Sequence, residues 1–169
     1  MTPAALYWLF TLALAVHSIE EGLFLPAYTA SGSRLAGRIT PFALRFVLVA
    51  LTAGIFMLSA LAAAGIDHAA ELLAGFAAVM VINALVPHLA LSVAFRSYAP
   101  GTGTAVCLVV PLSLLVIANN FAAGLLTMGS LLGATVGVAA ALLVIIPLLF
   151  WVGRLVERRL SRFSPNGAT

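Results

Sequence analysis

Residues Pro3 to Leu25, PAALYWLFTLALAVHSIEEGLFL, decide how the chain is read. Leu6 to Val16 is almost wholly apolar, Leu23-Phe24-Leu25 is apolar again, and His17-Ser18-Ile19-Glu20-Glu21 stands between them. About 20 apolar residues suffice to cross a bilayer as a helix, so an imidazole and two carboxylates lie inside a spanning segment. Ionisable groups are costly in hydrocarbon and face a bundle interior or a polar cavity. On a helix, His17 shares a face with Glu20 (i, i+3) and Glu21 (i, i+4), while Ser18 and Ile19 point elsewhere. One turn therefore gathers a nitrogen and two carboxylates.

The composition agrees. Of 169 residues 63% are hydrophobic and 8% charged, with a mean hydropathy of +1.19. A soluble domain carries about 25% charged residues. The chain is thus read as an all-α, polytopic helical bundle: one transmembrane domain over residues 1–163, with a polar tail at 164–169. Its place is the cell membrane (the inner membrane where a cell has two), as a multi-pass protein in contact with lipid. No nucleic-acid partner is expected, because the +3 formal charge comes from arginines at span ends rather than a contiguous basic face. Cys107 excludes an internal disulfide framework. The start lacks a basic side chain before its apolar run, so it reads as a retained helix rather than a signal peptide.

Outward from the first span, Pro26 to Pro41 is polar and broken by glycine and proline, and reads as a loop or short surface helix carrying Arg34 and Arg38. A second span covers about Phe42 to Gly65, with Arg45 near its start. Asp67 is placed as N-cap of a third, His68 to Phe95, which holds Asn83, Pro87 and His88. Pro87 should kink it and free a carbonyl. A loop Arg96–Gly103 leads to a fourth span from Thr104 to about Asn119-Asn120. A fifth starts at Phe121 or Met128 and ends near Trp151, followed by a basic amphipathic extension, Arg154 to Arg162. Gly129, Gly133 and Gly137 give the fifth span a small-residue face for close helix contact, within the bundle or in a homo-oligomer. Trp8 and Trp151 fit interface anchors.

Five spans put every arginine at one end: Arg34, Arg38 and Arg45, then Arg96, then Arg154, Arg158, Arg159 and Arg162. The positive-inside rule makes that end cytoplasmic, with the N-terminus outside. At 1.5 Å per residue His17 lies about 12 Å, and His88 about 10 Å, from the cytoplasmic ends of their helices. Glu20, Glu21, Arg45 and Tyr98 fall at or below that depth, and Asn83 somewhat deeper. Structural readings stand beside the chemical ones. Glu21 can pair with an arginine at the interface, His88 can be a hydrogen-bonded core histidine, and Asn83 can join helices. His68, Glu71, Asn119 and Asn120 read as solvated or helix-end groups.

The order of His17-Ser18-Ile19-Glu20-Glu21, His88 and Tyr98-Ala99-Pro100-Gly101 resembles the HXXEE family of small bacterial integral membrane proteins. That family is marked by its name-giving motif, a further histidine and Tyr-X-Pro-Gly. The similarity runs from Tyr7 to Gly101, and all three features are present. The resemblance carries no activity with it, but it implies that these motif residues are the ones to test.

Chemically, His17, Glu20, Glu21 and His88 offer ligands for a single divalent metal, Zn or Fe. A di-iron centre draws on more carboxylates and Glu-x-x-His pairs. A metal-free version uses Glu20 or Glu21 as acid and His17 or His88 as base. Asn83, Arg45 and Tyr98 complete the candidate catalytic set. Either version makes an intramembrane enzyme acting on an apolar, lipid- or isoprenoid-like substrate. The other readings are a proton- or ion-coupled carrier or channel, weakened by the lack of an inverted repeat, and a non-catalytic assembly protein. No Gly-rich phosphate loop or cofactor-binding sequence is present.

Overall fold

The computed structural model describes residues 2–30 and 39–163. Among them, five helices are long and apolar enough to cross a membrane. We number them α1 (Pro3–Ala30), α2 (Pro41–Ala63), α3 (from Ala69), α4 (from Thr102) and α5 (Met128–Phe163). The sites expected for Arg34, Arg38 and the 164–169 tail lie outside the described residues.

Two helices change pitch where proline removes a backbone donor. α3 is α-helical over Ala69–Asn83, π-helical over Ala84–Leu89 around Pro87, and α-helical again over Ala90–Ala94. The expected kink is thus a π-bulge, with His88 inside it. α4 opens as Thr102–Thr104, widens to a π-turn over Ala105–Val109 just ahead of Pro111, and continues as Val110–Ala122. π-Bulges cluster at functional sites because they turn side chains that a regular helix would aim elsewhere.

Several boundaries differ from the sequence expectation. α1 does not stop at Leu25 but runs through Pro26 to Ala30. Pro26 cannot bond the Gly22 carbonyl one turn back, and Arg45 Nε donates to that carbonyl at 3.0 Å instead. The side chain thereby replaces the missing backbone donor, and the helix continues. The N-cap of α3 is His68, in the left-handed region at φ 60, rather than Asp67. The reversal after α2 sets this: Gly65 N–H bonds Ala62 O and Ile66 N–H bonds Leu61 O, a Schellman turn with Gly65 at φ +74. His68 and Glu71 pair beyond it at 2.9 Å on the exposed surface. The α4–α5 turn repeats the device with Gly124, so α4 ends at Ala122 and α5 begins at Met128. The loop expected over Arg96–Gly103 is shorter, because α4 starts at Thr102. α5 is 36 residues long, about 54 Å, so it outruns the ~30 Å hydrocarbon core and carries the basic extension as continuous helix. Thr40 ties the two ends together there, capping α2 at Ala43 N and donating to Glu157 at 2.6 Å.

The core sits in the half away from the arginines. Tyr7, Phe10, Leu73, Val109 and Val116 are buried there with Phe76. Asn120, near the end of α4 as the sequence suggested, is fully buried. It accepts from Tyr7 OH at 2.7 Å and donates to Ala70 O at 3.2 Å, joining α1, α3 and α4 at one point. α5 packs on α2 and α3. The tightest glycine of that packing among the described residues is Gly75, where an added Cβ would stand 2.6 Å from the backbone carbon of Ala134, and on α5 itself Gly153 lies against α2, 3.2 Å from Ala43 Cα by the same measure. Gly133 and Gly137 have nothing within 4 Å and face outward. Gly75→Ala is therefore expected to cost about 1–3 kcal/mol by overpacking, read as a lower unfolding temperature in detergent. Gly133→Ala should leave that temperature unchanged or raised, and equal effects at the two positions would count against this packing.

Candidate metal centre

The π-bulge brings His88 over the inner face of α1. One donor atom each from His17, Glu21 and His88 lies within 4.8 Å of the others. His88 Nε2 is 3.3 Å from Glu21 Oε1, and His17 Nε2 is 3.9 Å from Glu21 Oε2. The imidazoles meet edge to face, with centroids 5.1 Å apart. Both are buried, at 2% and 7% exposure.

Hydrogen bonds behind the rings fix which nitrogen faces the centre. His88 Nδ1 is 3.1 Å from Pro100 O. A carbonyl only accepts, so Nδ1 carries the proton and Nε2 of the neutral ring presents a lone pair. His17 Nδ1 is 3.0 Å from Thr104 Oγ1. The Thr104 hydroxyl has one proton and two acceptors in reach, Glu20 Oε2 at 2.6 Å and Gly101 O at 3.3 Å. The short bond to the carboxylate wins, so Thr104 accepts from His17 Nδ1–H, and His17 Nε2 also offers a lone pair. Three acceptor atoms thus converge on one point.

Such a cluster can hold a cation. A single proton can bridge only one His–Glu pair, and the other Nε2 then calls for a partner of its own. A divalent ion satisfies all three at once. With bonds of ~2.1 Å, tetrahedral ligands stand roughly 3.4 Å apart, and the His88–Glu21 pair is already at 3.3 Å. His17, Glu21 and His88 can therefore hold one divalent metal.

Glu20 is placed differently. Its oxygens turn to the loop, where they accept from the Tyr98 hydroxyl, Gly101 N–H at 3.0 Å, Thr104 N–H at 3.3 Å and Thr104 Oγ1. It acts behind His17 through Thr104 rather than at the centre. Tyr98 is 60% exposed and also accepts from Gly103 N–H at 3.0 Å. Its bond to Glu20 raises the phenol above its ordinary value of 10.0. The clasp is thus complete at neutral pH and is lost as pH rises through that raised value. Ser92 holds the other end of the loop, accepting from Ala99 N–H at 3.0 Å.

Among the described residues Glu21 pairs with the two histidines and with no arginine. Arg45 serves the Gly22 carbonyl instead. Asn83 is half-buried and lines a cavity that also takes in His17 and Glu21. That cavity holds about 580 Å³ between α1, α2, α3 and α5, and is otherwise largely apolar. One participant escaped the sequence reading. Thr104 sets the His17 tautomer, and the only hint of it is a pair of threonines just after Tyr98-Ala99-Pro100-Gly101 in an apolar chain. Gly101, at φ +91, lies against the site: a Cβ there would stand 2.8 Å and 2.9 Å from Cε1 of His88 and His17.

Comparison with known proteins follows the same residues. The family described as "Protein of unknown function with HXXEE motif" matches residues 8–116. "Uncharacterized protein YrkK" of Bacillus subtilis (strain 168) is 36% identical over 150 residues, covering 85% of this chain and 92% of the relative. No solved structure matches the chain.

Proposed function

The chain belongs to the HXXEE family, and we propose that it is an intramembrane metalloenzyme acting on an apolar substrate. His17, Glu21 and His88 hold one divalent ion, zinc or iron, at the wall of the apolar cavity. The observation that carries this reading is the convergence of three lone-pair atoms whose protons are committed elsewhere, to Pro100 O and Thr104. Two histidines and one carboxylate suit a catalytic zinc or a non-haem iron, each with an open position. When bound, the ion would supply a Lewis acid or an activated water in a site that excludes bulk water.

The test is metal content. Protein purified without a His-tag or chelator and assayed by inductively coupled plasma mass spectrometry should carry close to one zinc or iron per chain. His17→Ala and His88→Ala, verified as folded, should carry little or none. Metal far below one per chain in the parent, and not restored by added Zn²⁺ or Fe²⁺, would leave a metal-free His–Glu pair as the better account.

The same proposal includes orientation, with the N-terminus outside and the metal centre in the cytoplasmic half, supported by the arginines at one end. In a Cys107→Ala background, single cysteines at Thr2 and His68 should label from outside, and one at Ala168 should not. Labelling of Thr2 and Ala168 from the same side would reverse this assignment.

A further inference from the structure

The cavity beside the cluster has dimensions of its own. Its 580 Å³ falls within the ~300–1,000 Å³ of small-molecule sites. It lies between α1 and α5, where closer packing of the helices would otherwise remove it. On three helices it covers matching lengths: Leu14 to Leu25, Leu44 to Ile55 and Ala139 to Phe150. Each is about 16 Å at the helical rise, roughly half of the ~30 Å hydrocarbon core. The slot therefore runs from the arginine end to about the bilayer centre, the depth of one leaflet.

The walls select the occupant. Ser18, Thr52, Asn83, His17 and Glu21 are the polar groups among the described lining residues. Ser18 and Thr52 bond each other at 3.0 Å, which leaves His17, Glu21 and Asn83 to meet a polar end. No arginine lines the slot among the described residues, and Arg45 has given its Nε to Gly22. A phosphate head is bound by arginine, lysine or a helix N-terminus, so a phospholipid has no seat inside. One hydrocarbon tail with a small oxygen-bearing end does.

We propose that the slot binds one single-tailed lipid from the surrounding leaflet, its tail along α2 and α5 and its oxygen-bearing end at His17 and Glu21, the members of the cluster that line it. This rests on the metal-centre reading for the chemistry at that end, whereas seating of the tail needs only the apolar walls. A fatty acid and a prenyl alcohol share the required chemistry, and the experiment separates them.

Protein reconstituted in phosphatidylcholine vesicles would be irradiated with a diazirine-bearing palmitic acid or a diazirine-bearing farnesol, and its labelled peptides mapped. Label is expected within residues 44–55 and 139–150, at positions lining the slot. Ala139→Trp, which fills the slot, should lower that label at least tenfold. Excess unlabelled single-tailed lipid should compete in the unaltered protein, which keeps the test valid if Ala139→Trp does not fold. The probe that labels more identifies the source. Label spread over the outer faces of the helices, indifferent to Ala139→Trp and to competitor, would overturn the proposal. Metal content measured in the same samples keeps the two readings apart. Slot labelling without bound metal retires the metalloenzyme and leaves the lipid slot standing. Bound metal without slot labelling does the reverse.

Discussion

Gly101→Ala is expected to abolish stoichiometric metal binding and to destabilise the protein by about 2–5 kcal/mol. Two effects add. A non-glycine residue in the left-handed region costs roughly 1–2 kcal/mol, and φ is +91 at this position. The new methyl would also sit 2.8 Å from His88 Cε1, 2.9 Å from His17 Cε1 and 3.1 Å from Glu21 Cγ. Relieving such contacts costs about another 1–3 kcal/mol, and it displaces all three proposed ligands at once. Gly124→Ala is the matched control. Its φ is +70, but nothing lies within 4 Å of its added Cβ, so it should show the backbone cost alone and keep its metal. Thermal unfolding in detergent and metal content of the two variants decide the point. Equal losses in both would mean that Gly101 is a turn residue and not the roof of a site.

The two adjacent glutamates should separate cleanly. Glu21→Gln removes the carboxylate nearest both imidazoles, 3.3 Å from His88 Nε2 and 3.9 Å from His17 Nε2, and should leave less than a tenth of the parent's metal. Glu20→Gln keeps the three ligands but weakens their support. It exchanges one carboxylate oxygen for an NH2 group that cannot accept, so either the bonds from Tyr98 and Gly101 N–H or those from Thr104 are lost. Loss of a partner behind a metal ligand lowers affinity about 10–100-fold. Glu20→Gln should therefore bind metal when it is supplied in excess and lose it on dialysis, whereas Glu21→Gln should not recover it. Thr104→Val should resemble Glu20→Gln, because it cuts the same connection to His17 Nδ1, and Thr104→Ser should restore the parent's behaviour. Titration of each purified variant with Zn²⁺ gives the affinities. If Glu20→Gln proved as damaging as Glu21→Gln and excess metal rescued neither, Glu20 would be a direct ligand.

The membrane bundle, the number of spans and the matched heights of His17 and His88 were legible in the sequence because each rests on local quantities. Hydropathy over about 20 residues marks a span, and a fixed rise per residue converts position into depth. His17 and His88 were matched in depth this way, and they do meet. The shared face of His17 and Glu21 follows from the i, i+4 geometry alone. The same geometry places Glu20 on that face too, and there it misleads. Which way a carboxylate turns depends on the donors that reach it, and those of Glu20 come from a loop remote in the chain.

Tertiary structure decided the rest, since each remaining question is one of partnership between distant backbone groups. Pro26 would end a lone helix, yet α1 continues because Arg45 of another helix takes the orphaned Gly22 carbonyl. Pro87 predicts a kink, but only the packed bundle turns it into a π-bulge that swings His88 toward α1. The glycine stripe on α5 is visible in sequence, while the glycines that admit a close helix are Gly75, against Ala134, and Gly153, against Ala43. The tautomers of His17 and His88 are likewise set from outside their own helices, by Thr104 and by the Pro100 carbonyl. Residue type and spacing along the chain determined which groups lie in the membrane and at what depth. Contacts between helices determined which of them face one another with their lone pairs free.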